Sequence, residues 1–144
     1  MKKIRLVDGM TYDLVNAIEE STYAAGKTRQ VLSLELPETC TVEQLAATFG
    51  DEDNVATLVI GGEAEEGTVE WYSPAHRYYN ILLACGYESV EVGTHPETAA
   101  PQYERKLMVR LGKRTPEEIE IYDLRHSVID LEAAVAEMAF GGEY

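Results

Sequence analysis

Residues 3–15, which read KIRLVDGMTYDLV, decide the fold because they join two short apolar runs through a two-residue turn. Apolar and polar side chains alternate in both runs, as they do in strands with one buried face. Asp8-Gly9 between them is a sequence typical of tight hairpin turns. The chain therefore opens with an antiparallel β-hairpin.

The same strand pattern continues after the hairpin. Residues 17–28 fit either a helix or an extended chain, and the extended interpretation is favoured because Ala24-Ala25-Gly26 resembles a hairpin end. Gly86 is expected to turn the chain, and residues 93–102 to form an exposed loop. Further strands are predicted over residues 29–36, 55–60, 68–72, 78–84, 87–92 and 103–111. Seven or eight short strands without alternating helices predict the α+β class, mainly antiparallel β, as a small sandwich or open barrel.

One short helix interrupts the strands near residues 41–49. Thr41-Val42-Glu43-Gln44 is a capping box, in which the hydroxyl of Thr41 accepts a hydrogen bond from the third helical amide. Gly50 is expected to end this helix in a left-handed conformation. The β domain with this insertion is predicted to span residues 1–112.

A long amphipathic helix is predicted over residues 115–140. Thr115, Pro116 and Glu118 form a strong helix start, with an N-cap, a proline at the first position and an acid at the third. Apolar residues then recur at alternating intervals of three and four, which makes a heptad seam. The residues of this seam are Ile121, Leu124, Val128, Leu131, Val135 and Met138.

Two interpretations of the seam stay open. β-Branched residues at heptad position a with leucine at d favour a parallel two-stranded coil, so the helix is predicted to form a homodimer in which Glu120 faces Arg125 of the second copy. Fewer than three heptads are present, however, and a wide apolar stripe is also typical of a helix packed on its own domain.

Charge is distributed unevenly along the 144 residues, whose 12 Lys+Arg and 26 Asp+Glu give a net charge of -14. Residues 37–102 hold twelve acidic side chains and one basic one, Arg77. This balance argues against nucleic acid or a membrane surface as a partner and predicts an acidic face that attracts Lys and Arg. The basic residues near the last strand are divided, because Arg105 faces one way and Lys106 and Arg110 the other.

No catalytic, metal or cofactor motif is found in the sequence, so the protein is predicted not to be an enzyme and to need no cofactor. His76, His95 and His126 are dispersed and expected on the surface. Cys40 and Cys85 lack CxxC spacing and are expected to be buried thiols rather than a disulfide. The longest apolar run, residues 81–85, is too short to span a membrane, and the start lacks a signal sequence, so synthesis in the cytoplasm is expected.

A cluster of aromatic residues offers a candidate binding surface. Trp71, Tyr72, Tyr78 and Tyr79 lie close together in sequence between the acidic region and an apolar strand. Aromatic side chains concentrate binding energy at interfaces, so the outward members are candidates for contact with a carbohydrate or a host protein. Packing within the core is the ordinary alternative.

The order of these features resembles a known group of proteins. Four segments are similar to small uncharacterised proteins of prophage tail modules in Gram-positive bacteria. They are the opening Ile4-Arg5-Leu6-Val7-Asp8-Gly9, the helix from Thr41 to Asp51, the strand Val55–Ile60 and the closing heptad helix. The resemblance implies a structural protein of a phage tail or baseplate, or an assembly factor, that contacts itself and other tail-region proteins. It also implies a place in the virion tail after synthesis.

Overall fold

The structure is a computed structural model that describes residues 2–64 and 67–141, with side chains described as far as residue 136. The chain divides into two units, Met1–Lys113 and Arg114–Tyr144. Strands dominate the first unit, and the second contains one helix. The elements are β1 (Lys2–Arg5), β2 (Thr11–Leu14), β3 (Asn16–Ala24), β4 (Lys27–Leu36), α1 (Val42–Phe49), β5 (Thr57–Glu63), β6 (Val69–Trp71), β7 (His76–Arg77), β8 (Ile81–Thr94), β9 (Pro101–Gly112) and α2 (Pro116–Gly141).

The strands form two antiparallel sheets, which confirms the predicted α+β class. Sheet A has the order β2-β1-β5-β6, and β7 pairs with the same strand β5. Sheet B has the order β3-β4-β9-β8. The predicted opening hairpin is present as β1 and β2, with Ile4 opposite Tyr12. Its connection is longer than the predicted two-residue turn, because the amide of Leu6 donates to the carbonyl oxygen of Met10 and leaves Val7, Asp8 and Gly9 in the loop. The ambiguous residues 17–28 are extended, as expected, and form most of the β3–β4 hairpin.

The chain passes from one sheet to the other at Val15. Leu14 ends β2 and is fully buried, and β3 starts at Asn16 in the other sheet. The amide of Val15 donates to the carbonyl oxygen of Glu35 in β4 at 2.8 Å. This corner makes β2 and β3 a nearly continuous strand shared by both sheets, which is a common way to turn the corner of a sandwich.

The core contains apolar side chains from both sheets and from α1. Alternation places Leu32, Leu34 and Leu36 of β4 on one face of sheet B, and all three are buried. Ile4 of β1 lies opposite Ile60 of β5 in sheet A, and both belong to the same core cluster. The shared core matches the sandwich alternative.

Helix α1 begins as expected and ends differently. The amide of Gln44 donates to the hydroxyl of Thr41 at 3.2 Å, and Leu45 and Phe49 are buried on one side of the helix. The left-handed conformation predicted for Gly50 is wrong, because its φ is -79°. Glycine is suited to this position for another reason: a Cβ atom there would lie 2.5 Å from the carbonyl oxygen of Ala46.

The predicted turn at Gly86 is also wrong. Strand β8 runs through this residue, and Gly86 pairs with Met108 within an uninterrupted register from Ala84 to Glu91. A glycine often marks a break in the chain, but inside a long strand it is tolerated when the neighbouring strand supplies the register. The loop predicted over residues 93–102 shortens accordingly to residues 95–100.

Gly61 and Gly62 provide a matched test of packing in sheet A. A Cβ atom at Gly61 would lie 2.5 Å from the main-chain oxygen of Glu70 and 2.8 Å from the Trp71 ring. We expect Gly61→Ala to lower the free energy of unfolding by about 1–3 kcal/mol, because the backbone has to move. A Cβ atom at Gly62 would meet the hydroxyl end of Tyr72, which can rotate away. Urea denaturation should therefore show a smaller loss for Gly62→Ala, and equal losses would contradict the explanation.

Candidate functional site

The start of α2 has the capping geometry predicted from the sequence. The amide of Thr115 donates to Oε1 of Glu118 at 2.9 Å, and the amide of Glu118 donates to the Thr115 hydroxyl at 3.5 Å. Two acids in the first turn, Glu117 and Glu118, complement the positive end of the helix. The helix spans 26 residues and is therefore about 39 Å long.

The apolar residues of the heptad pattern are exposed along α2. Their exposed fractions lie between 52% and 64%. We use the name α2 seam for the five residues of the heptad pattern whose side chains the structure describes. The side chain of Met138, the sixth residue predicted for the seam, lies outside the described residues. The α2 seam consists of Ile121, Leu124, Val128, Leu131 and Val135. Large exposed apolar surfaces mark interaction sites in many soluble proteins.

A second group of residues on α2 lies off the seam. Tyr122 is only 6% exposed, and the Arg114 guanidinium lies 4.8 Å from the centroid of its ring. The ring of His126 lies 4.2 Å from the Tyr122 ring, centroid to centroid, and Nδ1 of His126 contacts the Tyr122 carbonyl oxygen at 2.8 Å. These contacts lie in the first turns of the helix and do not involve the seam residues.

The four aromatic residues proposed for partner binding differ in exposure. Tyr72 is 50% exposed, whereas Tyr79 is 4% exposed and belongs to the core. Trp71 is partly buried, with the Arg5 guanidinium 4.6 Å from the centroid of its ring. Tyr78 is also partly buried. The structure therefore leaves Tyr72 as the one clearly exposed member of the cluster.

A cleft of about 270 Å³ opens between the two sheets next to Tyr72. We call it the inter-sheet cleft. Its buried wall is apolar and consists of Ala17, Leu32 and Ile60. Its outer wall is mostly polar and consists of Lys2, Glu19, Tyr72, Pro74 and His76. The residues come from both sheets, which explains why the sequence alone did not reveal the site.

His76 and Glu19 form a close pair across this cleft. Nε2 of His76 contacts Oε1 of Glu19, and the His76 ring packs edge-on against Tyr79 at 5.7 Å. Nδ1 of His76 is buried and has no hydrogen-bond partner among the described residues. Burial, with a smaller effect of Glu19, raises the pKa of Tyr79. Since neither ring nitrogen is open to a substrate, this pair suits a link between the sheets better than acid–base catalysis.

The expectation that His76 is an ordinary surface histidine is therefore wrong. Its side chain is 23% exposed and connects β7 of sheet A to β3 of sheet B. Sequence spacing carries no signal for this contact, because it depends on how the two sheets face each other.

The basic residues of β9 are engaged by neighbouring groups. Lys106 pairs with Glu35 at 3.1 Å, and Arg110 makes two contacts with Glu88 at 2.8 and 3.0 Å. Hydrogen bonding to Glu88 raises the pKa of the Arg110 guanidinium. Arg105 lies on the opposite face, as predicted, with its guanidinium 3.9 Å from the centroid of the Tyr87 ring. The residues that line a cavity of about 200 Å³ on this surface of sheet B include Glu35, Lys106 and Arg110.

The two cysteines and the other candidate metal ligands were compared over the described part of the chain. Cys40 and Cys85 are free thiols and are half-buried rather than fully buried as expected. Burial raises the pKa of Cys85, which favours the unreactive protonated form. Within residues 2–64 and 67–141, no group of three or more His, Cys, Asp or Glu side chains could hold a metal ion. Neither helix in the described part of the chain is long and apolar enough to cross a membrane.

Comparisons with protein-family models, with curated proteins and with solved structures give no match for this chain. The functional assignment therefore depends on the α2 seam, the inter-sheet cleft and the resemblance noted in the sequence.

Proposed function

We propose that this protein is a non-enzymatic structural or assembly component that acts through protein–protein contacts and associates with itself through α2. The observation that carries the proposal is the α2 seam, in which five large aliphatic side chains are each more than half exposed. Burying one such side chain contributes about 1.5–3 kcal/mol, so a helix that presents five of them has a strong tendency to associate.

A second copy of the chain is the partner that fits this helix best. Ile121, Val128 and Val135 are β-branched and occupy position a, while Leu124 and Leu131 occupy position d. That arrangement favours parallel dimers over higher oligomers. In a parallel pair, Glu120 of one copy would also lie near Arg125 of the other, which adds charge complementarity at the edge of the interface.

The assignment to a phage tail region rests on the resemblance of residues 4–13, 41–60 and the closing helix to prophage tail-module proteins. Under this proposal the protein is either part of the virion tail or an assembly factor, and other tail-region proteins are its further partners. Co-expression with the neighbouring genes tests this part. Co-purification with tail tube, tape-measure or baseplate proteins would support it, whereas neighbours of unrelated function would remove its main support.

Light scattering after size-exclusion chromatography tests the self-association. The chain has a mass of 16.0 kDa, and we expect the wild-type protein to give about twice that value at micromolar concentrations. Leu124→Glu combined with Leu131→Glu should give the monomer mass, because two charges would have to be buried at d positions.

Ile129→Glu is the matched control for this experiment. Ile129 is 60% exposed on the same helix but lies off the α2 seam. The Ile129→Glu substitution should leave the dimer mass unchanged. A monomeric wild-type protein, or the same loss of mass in the control, would contradict association through the seam.

A second candidate function, that of a small binding module, has less support. It requires a carbohydrate or a host protein to contact four aromatic residues together, namely Trp71, Tyr72, Tyr78 and Tyr79. Tyr79 is buried, and Trp71 is covered on one side by Arg5. Tyr72 remains available as a single aromatic residue at the inter-sheet cleft.

A further inference from the structure

The inter-sheet cleft lies where the core-facing side chains of both sheets give way to polar ones. Lys2 and Ile4 are alternate residues of β1, so they point to the same side of sheet A, and Ile4 is fully buried. Lys2 pairs directly with Gly62 of β5. The Tyr72 hydroxyl occupies the space that a Gly62 side chain would fill. The absence of a side chain at Gly62 thus brings the tyrosine next to the lysine on one wall.

The opposite wall comes from sheet B. Glu19 of β3 pairs directly with Leu32 of β4, so its carboxylate extends from the same face as a core leucine. This carboxylate is already in contact with His76. Oε1 of Glu19 is therefore engaged by a neighbouring side chain of sheet A.

Lys2 and Tyr72 are the groups left available. Among the described residues, no carboxylate lies within ion-pair distance of the Lys2 ammonium, and the Tyr72 hydroxyl makes no hydrogen bond. The neighbouring Lys3, by contrast, contacts both Asp13 and Glu63. An unpaired ammonium and a free hydroxyl beside an apolar wall are suited to a molecule with an anionic end and an apolar end.

We propose that the inter-sheet cleft binds a carboxylate attached to a small aliphatic or aromatic body, with Lys2 as the counter-ion and Ala17, Leu32 and Ile60 contacting the body. The volume of about 270 Å³ limits the body to roughly the size of one amino-acid side chain. Two sources share this chemistry: a free short-chain carboxylic acid, and the C-terminal residue of a protein chain.

The net charge of -14 does not prevent such binding. Charges farther away than about 8 Å are largely screened at physiological ionic strength, so the local field is set mainly by the groups that line the cleft, Lys2 and Glu19 among them. The proposal is independent of α2 self-association, because every residue involved belongs to the first unit.

Titration of the full-length ¹⁵N-labelled protein, followed by two-dimensional NMR, tests the proposal. The probes are hexanoate and its neutral analogue hexanamide. We expect hexanoate to shift the amide signals of β1, β3 and the β6–β7 segment with a Kd of about 1 mM, as is typical of a small ligand with few polar contacts. Hexanamide should bind at least about tenfold more weakly, because it lacks the charge.

Three variants locate the site. Lys2→Met keeps most of the side-chain volume but removes the charge, and it should weaken hexanoate binding about tenfold. Ala17→Leu should abolish binding by filling the apolar wall, and the dispersion of its NMR spectrum reports whether it folds. Lys27→Met makes the same chemical change at the tip of the β3–β4 hairpin and should leave the affinity unchanged.

Peptides distinguish the two sources. A short peptide that ends in leucine with a free carboxylate is compared with the same peptide carrying a C-terminal amide. Tighter binding of the free-acid peptide than of hexanoate would identify a protein terminus as the source, and the reverse order would identify a small acid. Three results would each overturn the proposal: equal binding of hexanoate and hexanamide, unchanged hexanoate binding in Lys2→Met, or no saturable shift with either hexanoate or the free-acid peptide.

Discussion

Phe49→Ala should lower the free energy of unfolding by about 3–5 kcal/mol, the usual cost of removing a buried aromatic ring. Phe49 is fully buried at the end of α1, and the centroid of its ring lies 6.3 Å from that of Tyr12. The ring belongs to the same core cluster as residues of both sheets, so a cavity there weakens contacts on several sides. The loss should appear as a lower urea midpoint with an unchanged m-value.

Two comparisons make this result specific. Phe49→Leu keeps most of the apolar volume and should cost less than about 1.5 kcal/mol. Tyr23→Ala removes a ring that is 73% exposed and should change stability by no more than about 0.5 kcal/mol. If Phe49→Ala cost no more than Tyr23→Ala, α1 would not be an integral part of the core.

Arg29→Met should lower the free energy of unfolding by roughly 2–4 kcal/mol, because a buried guanidinium loses hydrogen bonds that its charge strengthens. Arg29 is 4% exposed. Its Nε donates to the carbonyl oxygen of Ala24 at 2.8 Å, and its two terminal nitrogens donate to the carbonyl oxygens of Ala25 and Lys113, each at 3.1 Å. The side chain thus joins the tip of the β3–β4 hairpin to the chain that follows β9.

Arg77→Met is the matched control for Arg29→Met. Arg77 is exposed on β7, and its guanidinium lies 5.9 Å from the centroid of the Tyr78 ring. The control should cost less than about 1 kcal/mol, since exposed cation–π contacts are weak. Arg29→Lys, which keeps the charge but not the planar donor array, should give an intermediate loss. Equal losses for Arg29→Met and Arg77→Met would show that the three main-chain contacts are not stabilising.

Local chemistry made much of this fold predictable. The opening hairpin depends on Asp8-Gly9, and the starts of α1 and α2 depend on Thr41 and Thr115; each signal lies within a few neighbouring residues. The errors also came from local rules. Glycine patterns predict a turn at Gly86, although the register with β9 keeps it inside a strand, and a left-handed conformation that Gly50 does not adopt.

The two candidate sites also differ in whether neighbouring residues in the sequence reveal them. The α2 seam could be found from the sequence because helical spacing defines it. The inter-sheet cleft could not, because Lys2, Glu19, Tyr72 and His76 come together only when the two sheets face each other. The role of Arg29 was missed for a similar reason, since its partners include a carbonyl group beyond β9. The predicted fold class also did not specify which strands would be neighbours in each sheet.

The position of β4 in sheet B has a consequence for biosynthesis. Strand β4 pairs with β9 from Val31 opposite Gly112 to Leu36 opposite Leu107, so one long edge of β4 has no partner until those late residues have left the ribosome. Contacts between residues this far apart form slowly, and unpaired apolar strands are prone to aggregation in the meantime. The nascent chain therefore carries this edge of β4 without its partner strand while residues 37–106 are synthesised, which leaves the edge open to pairing with another chain.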